Sequence, residues 1–190
     1  MMTESKADTS RKRILDAATE IAIEQGPKVL TLDNVAKQCG MSKGGVMHHF
    51  KNKDALLAGM VESMIGIMKT ELCEVEKAHA DALPVTNLLR TRQRAHEKLA
   101  VHQAKILLVA AVENPSLLSP MLEMMQSKRE EIEQHDAVDE STLLWLAADG
   151  LSFQELMDIS PFTAEERIAL RGKLINKAIA LEEARNEHQD

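Results

Sequence analysis

The 190-residue sequence predicts an all-α fold. Three observations carry that expectation. Apolar residues recur at spacings of three and four along nearly the whole chain, the period of one helix face. No segment shows the apolar-polar alternation of a strand between hairpin turns. The interruptions fall where proline or glycine stops a helix, at Gly26-Pro27, Leu83-Pro84, Asn114-Pro115 and Ser160-Pro161. Together they divide the chain into about nine helices.

Ser10 reads as the N-cap of a first helix whose inward positions are Ile14, Leu15, Ala18, Ile21 and Ala22, ending at Gly26-Pro27. Thr31 caps a short second helix that ends near Cys39. Gly40-Met41-Ser42 makes a tight turn, and Ser42 caps a third helix, Lys43 to His49. A long helix starts at Asn52 or Lys53 and runs to near His79, with Leu56, Met60, Met64, Ile67, Met68 and Leu72 on one face. Val85 to Val112 reads as helical with a bend in its polar middle, Arg90 to His96. Pro120 suits the first turn of a helix running towards His135, and Asp136 to Asp139 reads as a loop. Ser141 to Met157 is a strongly apolar helix around Trp145. Thr163 and Glu166 form the capping box of a last helix ending near Ala184, and the tail from Arg185 is expected to fray.

Composition sets the class. The 44% apolar content is ordinary for a chain that buries a core, and no apolar run approaches the ~18–20 residues that span a bilayer. Met1 to Lys12 is polar, so neither an export signal nor a membrane partner is expected and the location is read as cytoplasmic. Cys39 and Cys73 lack a CxxC spacing and read as two buried small hydrophobes, leaving no metal expected. The net charge of −7 is unevenly spread: residues 1–59 carry nine Lys/Arg against seven Asp/Glu, and residues 60–190 carry fourteen against twenty-three. A mildly basic head on an acidic body suits contact with phosphate at one end. The expected domains are 1–55 and 56–190.

The head has the arrangement that reading DNA requires. Two short helices flank a turn containing Gly40, which sets them at a steep angle, so the second can enter a major groove while the first crosses the backbone. Gly44 and Gly45 weaken the third helix by up to about 1 kcal/mol each relative to alanine. That suits a backbone that must approach a duplex, although packing alone could also ask for glycine. Val46 and Phe50 fall on the core side with Ile14, Ala18, Val35 and Ala36, leaving Lys43, Met47, His48 and His49 outward. Lys51 and Lys53 stand at the head of the long helix, where backbone N–H groups favour a phosphate.

Thr31 to Met60, TLDNVAKQCGMSKGGVMHHFKNKDALLAGM, resembles the DNA-binding domain of the TetR family of bacterial transcriptional regulators, and the likeness covers about residues 10–60. It implies a homodimer on palindromic double-stranded DNA, usually repression, and release by a small molecule bound in the C-terminal body. Carried over by position, Thr31 and Lys53 would contact phosphates, Lys43, Gly45, Met47 and His48 would face the groove beside Ser42 and Gly44, and His49 would reach backbone. This chain departs from the pattern at Met47 and His48, where many members have a tyrosine. His48 can still donate a hydrogen bond; Met47 cannot.

In the body, Leu143 to Phe162, LLWLAADGLSFQELMDISPF, resembles C-terminal regions of one subgroup of that family. The helix is more apolar than one buried stripe needs, so a second copy is expected to cover it, with Leu144, Trp145, Leu151 and Leu174 at the dimer interface. Trp145 also fits a plain core. For a ligand pocket the expected lining is Met64, Met68, His102, Met121 and Met125, the methionines offering adaptable thioethers, though methionine at helical spacing is more often core. Arg92, His96 and His102 are polar groups that could orient a ligand. No HExxH, GxSxG or glycine-rich phosphate loop is present, so no catalytic residues and no cofactor are expected. The alternative reading is a helical protein-interaction adaptor without specific DNA binding.

Overall fold

The computed structural model describes residues 6–26, 28–98, 101–134 and 138–187. Among the described residues the chain forms nine α-helices and no strand: α1 Lys6–Glu24, α2 Leu32–Gln38, α3 Lys43–His49, α4 Lys53–Ala78, α5 Pro84–Lys98, α6 Val101–Glu113, α7 Ser119–Glu133, α8 Val138–Leu156 and α9 Ala164–Glu187. A single 3-10 turn, Pro115–Leu118, leads into α7. Among the same residues no helix is long and apolar enough to cross a membrane.

Most boundaries follow local chemistry. Gly26 closes α1 with φ +87°, a conformation that side chains with a Cβ resist. The Thr31 hydroxyl accepts the Asn34 N–H at 3.2 Å, and the Ser42 hydroxyl accepts the Gly45 N–H at 3.0 Å. At α9 the capping box is reciprocal: Thr163 N–H donates to Glu166 Oε2 at 2.8 Å and Glu166 N–H donates to Thr163 Oγ1 at 3.2 Å.

Five expectations need correction. Ser10 lies inside α1, which begins at Lys6, because apolar spacing does not mark a polar first turn. Residues 90–96 stay helical within α5, where Arg92 and His96 pair with acids of α8 while Arg94 turns to solvent. Asp139 belongs to the first turn of α8 with Glu140, where the helix dipole favours acids, and α9 carries Arg185 to its end at Glu187. Cys73 is exposed; only Cys39 is buried. His135 and Asp136 lie outside the described residues.

The chain folds as two compact units. The first holds the residues up to Ile65 together with His102–Met121. In it α1 packs on α2 and α2 on α3, and Ile14, Ala18, Val35, Ala36, Val46 and Phe50 are all buried. Each large side chain there contributes about 1.5–3 kcal/mol by leaving water. Phe50 fastens α3 to its neighbours. The Arg11 guanidinium lies 5.3 Å from its ring centroid and reaches Glu62 of α4 at 3.3 Å. A Cβ at Gly59 would stand 2.6 Å from the Phe50 ring, so glycine is what lets α4 pass this close.

The second unit holds Gly66–Val101 and the residues from Leu122 onwards, with α5, α8 and α9 packed together. Its core is Leu83, Val85, Leu88, Leu89, Ile132, Trp145, Ala148 and Ala178, and Met125, Leu144 and Leu174 pack against it half-buried. An ionic layer lies beside this core. Arg92 pairs with Asp149, and Glu155 receives Arg171, Arg167 at 3.3 Å and His96 at 3.6 Å. Burial pushes Arg92 down to about 10.

The residues expected at a dimer interface and in a ligand pocket differ in burial. Trp145 is 8% exposed and belongs to the core of its own chain, which fits the plain-core alternative, and Leu144 and Leu174 lean half-buried on that core. Leu151 is half-buried. The solvent side of α8 carries Leu143, Leu146, Gly150 and Phe153, with Met157 exposed just past the helix end. Of the expected pocket residues, Met64 is buried and Met121 half-buried in the first unit, while Met68 and Met125 are half-buried in the second. Met125 serves the Trp145 core. His102 lies in α6 with its side chain outside the described residues.

Candidate nucleic-acid interface

The turn between α2 and α3 is made by backbone bonds and one glycine. Gly40 has φ +65°, and the Met41 N–H returns to Ala36 O at 2.9 Å, closing α2. Arg13 of α1 donates to Cys39 O at 2.7 Å, which ties the turn to the rest of the head. With Val46 and Phe50 buried, the rotation of α3 about its axis is fixed.

That rotation exposes Ser42, Lys43, Gly44, Met47 and His48, with Gly45 and His49 half-exposed. Thr31, at the start of α2, is exposed as well. Five of the expected contact residues therefore reach solvent fully from α3 and its cap, and Thr31, the cap of α2, is a sixth. Ser42 and Thr31 accept backbone N–H bonds as caps, and their hydroxyl hydrogens remain able to donate to a phosphate. His48 and His49 sit edge to face with ring centroids 5.5 Å apart.

The two glycines separate. A Cβ on Gly45 would press on Ser42 Oγ at 3.3 Å and Met41 Cε at 3.4 Å, so the chain itself has a reason for glycine there. A Cβ on Gly44 would meet nothing within 4 Å. Nothing within the fold asks for glycine at position 44.

The cations are not free. Lys43 Nζ pairs with Asp33 Oδ2 of α2 at 2.8 Å, and Lys53 Nζ pairs with Glu113 Oε1, the last residue of α6, at 2.9 Å. Beside the second pair, Asn114 donates to Asp54 at 3.3 Å. Lys53 still stands at the N-terminus of the 26-residue α4, whose first turn is capped by Asn52 Oδ1 accepting the Ala55 N–H at 2.8 Å. Sequence reading missed both counter-ions. Asp33 lies ten residues before its lysine and Glu113 sixty after, and no local spacing rule links either pair. Chemically the face offers hydroxyl, imidazole and ammonium donors around a thin backbone edge, which suits a polyanion with readable edges.

Comparison with known proteins agrees with this geometry. Residues 14–60 match the family model described as bacterial regulatory proteins, tetR family, and residues 86–178 match one described as tetracyclin repressor-like, C-terminal domain. The HTH-type transcriptional regulator SrpR of Pseudomonas putida is 38% identical over 61 residues, 32% of this chain and 29% of that protein. The matches cover 29, 46 and 34% of the first curated relatives, less than half of each. A transcriptional regulator from Rhodococcus sp. Rha1 superposes with a TM-score of 0.64 at 21% identity, covering 90% of this chain and 96% of that one. The multidrug binding protein EbrR, solved with imidazole, superposes with a TM-score of 0.57 at 21% identity, covering 86% and 93%.

Proposed function

Since the chain belongs to the tetR family of bacterial regulatory proteins, we propose that it is a cytoplasmic transcriptional regulator, a repressor that binds a palindromic operator as a homodimer and leaves it when a small molecule binds the helical body. The observation that carries this reading is the outward face of α3, held in place by Val46 and Phe50 and thinned at Gly44, inside the segment that matches the tetR model. Thr31, Ser42 and Lys53 take the backbone-positioning role; Lys43, Met47 and His48 face base edges. The effector reading is supported by likeness of fold to a protein named as multidrug binding. The residues 1–55 act as the DNA head and 56–190 as the effector and dimerisation body. SrpR and its fellow relatives are named as transcriptional regulators, which supports reading this chain as a regulator and not an enzyme.

The test is selection of bound fragments from the source genome, followed by affinity measured against salt. A regulator gives specific, salt-sensitive binding to a two-fold site; equal binding to any duplex, or none, favours the adaptor. Two variants sharpen it. Lys53→Ala should weaken all sites alike and lower the salt slope by about one per protomer, as one phosphate contact is lost. Gly44→Ala should raise stability by about 0.5 kcal/mol, since alanine suits a helix better and the site is open. The same variant should bind the operator more weakly, because its methyl holds the duplex away. A Gly44→Ala protein that gained stability and bound DNA normally would remove α3 from the groove.

A further inference from the structure

Met47 projects from the DNA-facing side of α3 with 44% of its surface exposed. Its neighbours on that side have contacts within the free protein, though Lys43 and His48 stay exposed. Lys43, one turn earlier, is drawn back to α2 by Asp33, 2.8 Å from its ammonium. Gly44 has no side chain, and His48 rests edge-on against His49. Val46 is fully buried, so α3 cannot rotate to bring Met47 inside. The face therefore presents one apolar side chain among its exposed polar ones.

A thioether is a weak acceptor and no donor, so it cannot read the hydrogen-bonding edges of base pairs. The major groove displays one apolar feature, the 5-methyl group of thymine. Methionine suits that group because it is unbranched and polarizable, and can follow a methyl without a fixed hydrogen-bond geometry.

We propose that Met47 is a specificity-determining residue that packs against the 5-methyl group of a thymine in each operator half-site. The inference rests on α3 being the recognition helix. The contact gains by removing two apolar surfaces from water and leaves the neighbouring base edges to His48 and Lys43. Glycine at position 44 allows the close approach that so short a contact needs.

The experiment uses the full-length protein and the operator obtained by genomic selection. Each thymine of a half-site is replaced symmetrically by deoxyuridine, one position at a time, which deletes the methyl and leaves every hydrogen-bonding edge unchanged. One position should lose affinity by about fourfold per half-site, the worth of one methyl-sized group leaving water. Met47→Ala should bind more weakly and show no uracil penalty at that position, whereas Met47→Leu should keep the penalty. Met47→Gln should shift the preferred base there from thymine towards adenine, whose N6 and N7 a glutamine amide can engage. If the wild type binds its operator specifically but no thymine is sensitive, or the sensitivity survives Met47→Ala, the proposal is overturned and the regulator reading stands. If no specific site emerges at all, both are overturned.

Discussion

Phe153→Glu is expected to leave the protein a 21.1 kDa monomer in place of a dimer of about 42 kDa. Its affinity for a palindromic operator should fall by about 100-fold or more, because two linked heads bind far better than one. The expectation comes from the two faces of α8. On one side Ser141, Trp145 and Ala148 are buried within the second unit. On the other, Leu143, Leu146, Gly150 and Phe153 are exposed at alternating spacings of three and four, the 3.5-residue period of helices that pack along a common seam, and Met157 follows just past the helix end. Ile168 of α9 is 63% exposed as well. An exposed stripe of this kind marks an interface. Two glutamates brought together across a two-fold axis would oppose association without disturbing the fold, as Phe153 is 54% exposed in the single chain. Sedimentation of Phe153→Glu beside Phe153→Leu reads the result. A dimer that survives the glutamate would move the interface elsewhere.

The second large effect is on stability. Glu155→Ala should cost about 3–5 kcal/mol, seen as a lower urea midpoint with an unchanged slope. Glu155 has a side chain 11% exposed and is the shared partner of Arg171 and Arg167, which are 11% and 19% exposed. Removing the carboxylate leaves Arg171 and Arg167 with little solvent to replace it, Arg167 keeping its bond to Phe162 O, and His96 loses its acid as well. Glu133→Ala supplies the contrast. Its pair with Arg129 is one turn apart on the exposed side of α7, and such pairs are worth about 0.3–0.5 kcal/mol. A loss below about 1 kcal/mol at Glu155 would mean that the arginines reach solvent when freed.

These two predictions also mark where sequence reading stopped. The caps at Thr31 and Ser42 and the box at Thr163 and Glu166 were legible because a cap is settled within four residues. The inward set Ile14, Ala18, Val35, Ala36, Val46 and Phe50 was legible because each helix of the head has a single apolar face. The polar run 90–96 was misread as a bend. Its polarity is explained by Asp149 and Glu155, more than fifty residues away in sequence, which no local pattern announces. Likewise Lys43 and Lys53 read as open cations, although Asp33 and Glu113 hold them.

By itself the order of residues decided that this chain is helical, where most helices start and stop, and which short stretch faces outward at the amino-terminal end. Those outcomes depend on backbone bonds, glycine conformations and one-sided apolar periodicity, all of which act over a few positions. Only the packed structure decided which of α8's two apolar stripes lies inside, placing Trp145 in and Phe153 out, and which acids meet which arginines. Helix periodicity says that a stripe must be covered; only the assembled neighbours, α5 and α9, determine which one they cover.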